Sequence, residues 1–431
     1  MSVRLLVVGV GLFVPVTLST APAVSQGSSP RCASDNGGIT LPDGFCAVVV
    51  ADQVGRARHI TVAPNGDVLV ALARSGTRSA PIDGGVLVLR DTDGDGVADV
   101  RRRIGGGAGD DVELRGGFLY YSTNDAVIRY PWPAGSLEPS GPPDTVVSGL
   151  PTNGSHRTKS IAFGPDGALY VNVGSASNSC QVEDRKAGSL GRDPCDERAT
   201  RAGIWRFDAA RLGQAQADGT RHATGLRNTV ALTSHPVTKE LYGAVHGRDQ
   251  LAANWSQFFD DGQSAEKPSE ELVHIEAGDD FGWPYCYHDP ELGRKVLAPE
   301  YGGNGSRVGR CNGMKGPLLG FPAHWAPNGL LFYNGNQFPE RYRGSAFIAF
   351  HGSWNRAPLP QGGYNVVVVP FAGTDPSGDW VVFADGFAGA DRSPGGAEHR
   401  PVGLAEGPDG SLYVSDDSGG RIYRILYRGT N

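Results

Sequence analysis

A short phrase of sequence that recurs along the whole chain constrains its fold more than any other feature. Each copy is a turn followed by a strand in which apolar residues alternate with others. Pro at the second turn position and Gly at the fourth set a tight turn, and the alternation is typical of a half-buried strand. The clear copies are residues 63–70, 164–171 and 407–414, a looser copy is 235–242, and degenerate copies are 114–121 and 333–350.

Six such copies, flanked by further apolar strands, predict an all-β fold of the six-bladed β-propeller type. No segment holds a sustained period of roughly 3.6 residues, so helices are expected to be short and few. The long segments 175–200 and 245–325 are expected to be loops, and loops on a rigid scaffold usually carry function.

The first residues have the composition of a secretion signal. A basic start leads into an apolar run, Leu5 to Leu18, which is too short to span a bilayer, and Ala21-Pro22-Ala23 then offers a signal-peptidase site. We therefore predict a signal peptide at residues 1–25, a single propeller domain at 30–431, and a secreted or periplasmic protein without a membrane anchor.

Six cysteines agree with an oxidising compartment. They can pair in about 15 ways, and proximity in the chain favours three short loops. A zinc site is the alternative, but the chain has no C-x-x-C and no neighbouring His at ligand spacing. The favoured pairs are Cys32–Cys46, Cys180–Cys195 and Cys286–Cys311.

Charge and missing motifs exclude several classes of function. A net charge of −7 argues against a nucleic-acid or anionic-membrane partner. The chain has no Walker loop, no dinucleotide-binding glycine fingerprint, no G-x-S-x-G elbow and no H-E-x-x-H. No sequence motif therefore supports a nucleotide-binding protein or a hydrolase of the common types.

An acidic segment near the first repeat predicts a calcium site. Asp91, Asp93, Asp95 and Asp99 alternate around glycines and match the first half of an EF-hand loop. The twelfth position is Arg102, so no bidentate glutamate closes the loop. The alternative interpretation is an acidic hairpin turn without a metal.

His156 lies just before a predicted buried strand, where the central channel of a propeller opens. An imidazole in that place can act as a general base near neutral pH. The alternative is a structural histidine, which is the commoner role of a lone His.

Four arginines lie near the starts of different predicted blades, and equivalent positions of different blades converge on the propeller axis. Several inward-pointing guanidinium groups repel one another unless an anionic ligand lies among them. For any one of them, an ordinary surface arginine is the alternative. The four are Arg58, Arg227, Arg356 and Arg400.

With these motifs in order, the chain resembles the pyrroloquinoline quinone (PQQ)-dependent sugar dehydrogenases over roughly residues 38–428. That family includes soluble glucose dehydrogenases, sorbosone dehydrogenase-like proteins and fungal pyranose dehydrogenase domains. The resemblance rests on His156 eight residues before the turn at Gly164, on segments 225–228, 278–287 and 351–356, and on Arg400.

The resemblance implies a six-bladed propeller that binds PQQ, a flat o-quinone with three carboxylates, together with Ca²⁺. By resemblance, His156 is the catalytic base, and Arg227 and Asn228 hold the quinone oxygens. Calcium is held by backbone carbonyls, here those of Gly247 and Arg248. The implied cofactor-binding residues are Arg58, Arg227, Asn228, His351, Trp354, Arg356 and Arg400.

Two departures from the family pattern bear on the substrate. Glucose dehydrogenases of the family carry Asp before the catalytic His, where this chain has Ser155. The family's cofactor-binding lysine has no clear counterpart, and segment 351–354 reads His-Gly-Ser-Trp instead. The chain is therefore closer to the sorbosone and pyranose dehydrogenase branch.

The predicted function is an exported quinoprotein that oxidises an aldose, pyranose or sorbosone-like sugar and passes electrons to an external acceptor. No C-x-x-C-H is present, so a cytochrome partner would be a separate protein. One alternative is a calcium-dependent propeller lactonase or hydrolase, which needs several carboxylates at the channel, where the sequence places arginines. The other is a non-catalytic carbohydrate-binding propeller.

Overall fold

The computed structural model describes residues 1, 3, 29–77 and 80–429. Apart from residues 1 and 3, the predicted signal peptide lies outside the described residues. Six sheets form the blades; five are antiparallel with four strands, and one has four antiparallel strands and a short fifth strand that pairs parallel, so the predicted all-β six-bladed propeller is confirmed.

Each blade is named here in chain order of its innermost strand, and its strands are given from the inside outwards. Blade 1 consists of Ala57–Val62, Val68–Leu72, Gly85–Arg90 and Val100–Ile104. Blade 2 consists of Gly109–Arg115, Phe118–Thr123, Val127–Pro131, Asp144–Ser148 and the short Gln214–Ala215. Blade 3 consists of Ile161–Phe163, Ala168–Val173, Gly203–Asp208 and Thr220–Thr224.

The remaining three blades follow the same order. Blade 4 consists of Ala231–Ser234, Leu241–Val245, Glu270–Ile275 and Leu319–Phe321. Blade 5 consists of Pro327–Phe332, Ala346–Phe350, Asn365–Val369 and Val381–Ala384. Blade 6 consists of Pro401–Glu406, Leu412–Asp416, Ile422–Tyr427 and the early strand Phe45–Ala51.

Strand position in the blade explains the apolar pattern. The middle strands Ala346–Phe350 and Asn365–Val369 are buried at every residue, because both of their faces pack against neighbouring blades. The outermost strand Val100–Ile104 is exposed along its centre. The predicted turns are present as well, since Gly66 and Gly410 adopt φ of 90° and 82°, a region that favours glycine.

The early strand closes the ring of blades. Phe45–Ala51 pairs antiparallel with Ile422–Tyr427, so the two ends of the chain share blade 6. The ring of Phe45 packs 4.8 Å from that of Phe338 and 5.1 Å from that of Phe383, which fastens this strand to blade 5. Closure of this kind leaves few strand edges open to other chains.

The connecting segments hold little regular structure, and the prediction of few, short helices is confirmed. The two α-helices of the described ranges are α1, Leu251–Trp255, and α2, Asp261–Glu266, and neither is long or apolar enough to cross a membrane. The two-stranded ribbons are Cys286–Asp289 with Arg294–Leu297, Ser75–Gly76 with Pro81–Ile82, and Phe371–Ala372 with Asp375–Pro376. The 3₁₀ turns are Asn36–Gly38, Pro165–Gly167, Asp196–Ala199, Gln216–Asp218, Pro299–Tyr301, Gly309–Gly313 and Glu340–Tyr342.

All three predicted disulfides are formed. Cys32–Cys46 ties the segment before the propeller to blade 6. Cys180–Cys195 and Cys286–Cys311 lie in the long loops of blades 3 and 4, where they pack with Trp283 and Tyr285 in one apolar cluster. The two bridges therefore brace the long loops predicted to carry function.

The six innermost strands surround an axial channel. The last residues of all six line one cavity of about 360 Å³, so the strands run in the same direction along the axis. We call this the channel cavity. The starts of the same strands lie at the other end, which we call the site rim.

Candidate active site

The site rim gathers residues from two positions that recur in each blade. One group lies directly before an innermost strand, and the other lies directly after the second strand. Because these strands are antiparallel neighbours, the start of one adjoins the end of the other. In blade 3 this arrangement places His156 against Ser175, and the main-chain N–H of His156 donates to the Ser175 carbonyl at 3.3 Å.

The ring of His156 is held through Nδ1. That atom lies 3.0 Å from the carbonyl oxygen of Ser175 and 2.9 Å from its hydroxyl. No described residue hydrogen-bonds Nε2, and the side chain is half-buried, so Nε2 faces open space at the site rim. Burial, with Arg227 and His246 close by, holds the pKa of His156 well below its ordinary value. The imidazole is therefore neutral around pH 7 and can accept a proton.

Arg227 is the most constrained cation of the site. Its Nε donates to the main-chain oxygen of Asn178 at 3.1 Å, and its Nη2 donates to the side-chain oxygen of Asn178 at 3.0 Å. Nη2 also meets Asp249 Oδ2 at 3.0 Å, and Nη1 donates to the Gly247 carbonyl at 2.8 Å. The guanidinium is buried and fixed on several sides, so its position does not depend on a ligand.

Asp249 supplies the counter-charge. Its Oδ2 accepts from Arg227 and from Arg185, both at 3.0 Å, and its Oδ1 accepts from Asn355 at 3.0 Å. Burial alone would raise the pKa of Asp249, but Arg227, His324 and Arg185 together hold it well below its ordinary value. Asp249 is therefore a carboxylate at any pH near neutrality.

Asn228 lies beside His156, and its side-chain amide is oriented by Asn172. Asn172 accepts the N–H of Thr229 with its Oδ1, so its amide nitrogen is the atom that donates to Asn228 Oδ1, at 3.3 Å. The amide nitrogen of Asn228 is then not bonded to Asn172, and it hydrogen-bonds no described residue. A methyl group on Gly174 would lie 2.6 Å from Cβ of His156 and 2.8 Å from Oδ1 of Asn228. Glycine at 174 is what lets these two side chains stand so close.

The predicted calcium carbonyls lie beside this cluster. Gly247 is anchored by a buried carboxyl, since its N–H donates to Glu270 Oε2 at 2.7 Å. Burial raises the pKa of Glu270 to about 7. The side chain of Arg248 turns away into the protein and pairs with Glu300 at 2.5 Å. Only main-chain atoms of Arg248 are thus left for a ligand at the rim.

A second cluster joins blades 1, 5 and 6. Asp417 accepts from Arg58 Nη1 at 2.9 Å and from His351 Nε2 at 2.7 Å. Burial would raise the pKa of Asp417, but His351 and Arg58 hold it far below its ordinary value. Arg400 donates to the carbonyls of His351 and Gly352 at 3.0 and 2.7 Å, and its guanidinium lies over the ring of Tyr364.

His246 stands between the two clusters. Its Nε2 lies 2.8 Å from the Pro327 carbonyl, and burial, with the charge of Arg227, lowers its pKa to about 4. The N–H of His351 donates to the carbonyl of Ala326, the residue before Pro327, at 2.9 Å, so the two clusters meet at the start of blade 5. Seven predicted residues therefore share one rim: Arg58, His156, Arg227, Asn228, Gly247, His351 and Arg400.

The other predicted residues are placed differently. Arg356 donates to the carbonyls of Ala265 and Ala323, at 2.9 and 2.8 Å, and so ties its own loop to the segments around α2. Trp354 belongs to the same loop and is 54% exposed. Asp91, Asp93, Asp95 and Asp99 lie between the third and outermost strands of blade 1, away from the rim.

Within the Asp91–Asp99 segment the carboxylates also serve the loop itself. Asp91 accepts the N–H groups of Gly94 and Gly96, at 2.7 and 2.8 Å, and Asp99 accepts from Thr92. Carboxylate oxygens of Asp91, Asp93 and Asp99 all lie within 4.8 Å of one another. The loop can hold its shape as an acidic turn, and the calcium assignment stays a prediction.

Sequence reasoning missed the acids that balance the arginines. It expected arginines in place of carboxylates at the channel, whereas Asp249 and Asp417 each face one or more of them. It also missed Ser175, Asn178 and His246. A usable signal existed, because Ser175, His246 and Asp417 each come within two residues of the end of a second strand, which is the position that brings His351 to the rim.

Comparison with known proteins matches the whole propeller. The TrAA12-like family model covers residues 39–428. A pyrroloquinoline quinone-dependent pyranose dehydrogenase of Coprinopsis cinerea is 26% identical over 437 aligned residues, covering 90% of this chain and 54% of the relative. An uncharacterised protein of Borreliella burgdorferi is 34% identical over 215 residues, 48% of each chain. The chain thus spans about half the length of the curated relatives it matches.

Solved structures agree on the fold. The holo form of the PQQ domain of a Coprinopsis cinerea pyranose dehydrogenase superposes with a TM-score of 0.70 at 21% identity, covering 93% of this chain and 99% of that one. A calcium structure of a Trichoderma reesei carbohydrate-active enzyme of family AA12 gives a TM-score of 0.72 at 20% identity, covering 94% and 99%.

Proposed function

This chain belongs to the TrAA12-like family, and we propose that it is a PQQ-dependent dehydrogenase that oxidises a sugar and passes the electrons to an external acceptor. The observation that carries the proposal is a neutral histidine whose Nε2 is open, placed beside the fixed donors Asn228 and Arg227. The relative named as a pyranose dehydrogenase and the matched PQQ domain support the same reaction class.

The rim has the donor set that an anionic, flat quinone needs. Arg58 uses only Nη1 on Asp417, and Arg400 uses Nε and Nη2 on carbonyls, so each guanidinium keeps donors for a carboxylate. The amide nitrogen of Asn228 has no hydrogen-bond acceptor among the described residues. These residues fit PQQ, and Arg58, Arg400, His351, Asn228 and Arg227 would hold it.

The carbonyl of Gly247 fits a calcium ligand. Backbone carbonyls suit a large, loosely coordinated cation such as Ca²⁺ better than Mg²⁺. The hydrogen bond from Gly247 to Glu270 fixes the peptide, and the carbonyl that accepts from Arg227 retains a second lone pair. Gly247 and Arg248 would hold the ion through their main chains.

PQQ, when bound, supplies the two-electron acceptor for a hydride from the sugar carbon. His156 Nε2 takes the proton of the sugar hydroxyl, and the imidazolium that forms keeps its Nδ1–H on Ser175. Asp249, ionised at neutral pH, offsets part of that new positive charge. Asn228 keeps its amide N–H groups and Arg227 keeps one N–H on Nη1, and these donors would stabilise negative charge on an oxygen.

Calcium-dependent cofactor binding tests the proposal. The apoprotein is mixed with PQQ in Ca²⁺, in Mg²⁺ or in a chelator, then desalted and examined by absorbance. We expect bound quinone in Ca²⁺, less in Mg²⁺ and none in the chelator, and a sugar should then bleach the quinone band. Equal quinone binding in the chelator, or no spectral response to any aldose or pyranose, would count against the proposal.

Export and domain extent are part of the proposal. We infer that residues 1–25 are removed as a signal peptide and that 30–431 fold as one propeller. N-terminal sequencing of protein collected outside the cytoplasm should find a start close to residue 26. A mature protein that retains the apolar run Leu5 to Leu18 would contradict this assignment.

A further inference from the structure

The contact between Ser175 and His156 settles which nitrogen of the imidazole carries the proton. The Ser175 hydroxyl donates its single hydrogen to the Ser177 carbonyl at 2.7 Å. It can therefore only accept from His156, and the Ser175 carbonyl can only accept as well. Nδ1 must carry the hydrogen, and the lone pair is left on Nε2.

Ser175 is itself anchored on both sides. Its N–H donates to the Arg227 carbonyl at 2.8 Å, so the base and the fixed cation share one piece of main chain. Ser177, which receives the Ser175 hydroxyl, is held by Glu197 through its hydroxyl at 2.5 Å and its N–H at 3.1 Å. Ser175 is fully buried, so the linkage is shielded from water.

The partner of Nδ1 is neutral, which sets this base apart from a histidine paired with a carboxylate. The charged and titratable groups that face His156 are Arg227, His246 and Asp249, and Asp249 is committed to Arg227 and Arg185. A carboxylate on Nδ1 would stabilise the imidazolium and make the ring a stronger base that is protonated at a higher pH.

We propose that Ser175 is a positioning residue that fixes His156 as the Nδ1–H tautomer and, because it is uncharged, adds no counter-charge to the imidazolium that forms. This inference rests on the proposed function for its kinetic consequences, but not for the tautomer itself. It assigns to Ser175 a role in orientation and proton affinity, without contact with the substrate.

Nitrogen NMR of the apoprotein tests the tautomer without any cofactor. Protein labelled with ¹⁵N-histidine is compared with His156→Gln to assign the His156 signals. We expect a protonated Nδ1 and an unprotonated Nε2 from pH 6 to 8. A protonated Nε2 in the wild-type protein would overturn the proposal, whatever the enzyme's activity proves to be.

Two substitutions test the proton affinity. Ser175→Asp should move the acid limb of the kcat profile, and the NMR titration of His156, up by about one to three pH units. Ser175→Ala keeps the carbonyl contact and should lower kcat by about 3- to 10-fold, with KM almost unchanged. Ser269→Ala is the matched control, because Ser269 makes the same hydroxyl contact with Nδ1 of His288, at 3.0 Å, outside the rim.

The outcomes separate the two proposals. If the acid limb and the NMR titration of Ser175→Asp stay at the wild-type pH, the positioning role is wrong. If Ser175→Asp does not fold, the wild-type tautomer and the kcat and KM of Ser175→Ala still decide the matter. If wild-type protein binds no PQQ while NMR finds the expected tautomer, the proposed function fails and the Ser175–His156 assignment stands.

Discussion

The two ends of the axial channel differ in how their charged side chains are paired. At the site rim, Arg227 and Arg58 each face a carboxylate, at 3.0 and 2.9 Å, and His156 is held by Ser175. In the channel cavity, the carboxyl of Glu113 makes no hydrogen bond or ion pair with any residue that the structure describes. Asp111 and Glu406 line the same cavity and do have partners, so Glu113 is the lining acid that lacks one among the described residues.

The difference arises from the connections between the strands. At the rim, loops after the second strands return over the channel and supply Ser175, Asp249 and Asp417 as partners. The channel cavity is lined by the ends of the innermost strands, where short connections lead to the next strand in every blade except blade 5, in which residues 333–345 intervene. At the rim, these loop residues supply the partners that hold Arg227, Arg58 and His156 in place.

Loss of the base should have the largest effect and would show that the rim, not the cavity, carries the reaction. His156→Ala should lower turnover by about 10²–10⁴-fold in reconstituted enzyme, because no other described group is placed to take the proton. Quinone binding should change little, since Arg58 and Arg400 are untouched. The control is His235→Ala in the channel cavity, and equal losses in both variants would contradict the assignment.

Arg227→Lys should have the next largest effect. Lysine keeps the charge but cannot reach Asn178, Gly247 and Asp249 together, so both PQQ affinity and kcat should fall, each roughly 10- to 100-fold. Binding titrations and initial rates measure the two losses separately. Arg356→Lys is the matched control, because its guanidinium binds only carbonyls, and it should leave both quantities within a few-fold of wild type.

Replacement of Glu113 should change the stability of the protein rather than its turnover. Burial, with Asp111 nearby, raises the pKa of Glu113 from 4.5 to about 8, so the folded state favours the protonated acid. The stability that the folded state gains from protonated Glu113 is fully present below pH 4.5 and is lost as the pH rises toward 8. Glu113→Gln should therefore raise Tm at pH 8 by about 2–4 °C relative to wild type, and by less at pH 5. A Tm gain that does not depend on pH would contradict this account.

The Asp91–Asp99 loop should show the smallest effect. Replacing Asp93 and Asp95 with Ala should lower Tm by a few degrees in Ca²⁺ and leave sugar oxidation intact, because the loop lies at the outer edge of blade 1. Thermal melts with and without a chelator measure the calcium-dependent part. A loss of turnover at unchanged Tm would contradict this prediction and would mean that the Asp91–Asp99 loop contributes to the active site.

The fold was largely readable from the sequence because each blade repeats a local pattern. The turn glycines, the alternation after them and the three close cysteine pairs are all short-range signals. The approach of His156, Arg227 and Asn228 was expected from their places before innermost strands and from family resemblance. Asp249 and Asp417 were not expected as partners, because Asp249 lies 22 residues from Arg227 in the chain and Asp417 lies 359 residues from Arg58.

Two predicted residues have side-chain directions that the resemblance did not indicate. Arg248 turns inward to the buried Glu300, and Arg356 binds the carbonyls around α2. In both cases long-range contacts set the side-chain direction, which local sequence does not encode. The predicted metal role of Arg248 concerns only its carbonyl, which is compatible with that direction.

An anaerobic single-turnover experiment tests the central claim most directly. Wild-type protein and His156→Ala are loaded with PQQ and Ca²⁺, mixed with a pyranose, and followed by the quinone absorbance at several pH values. The account predicts fast bleaching in wild type that persists into mildly acidic solution, and bleaching about 10²–10⁴-fold slower in His156→Ala. Equal rates for the two proteins across neutral pH would contradict it.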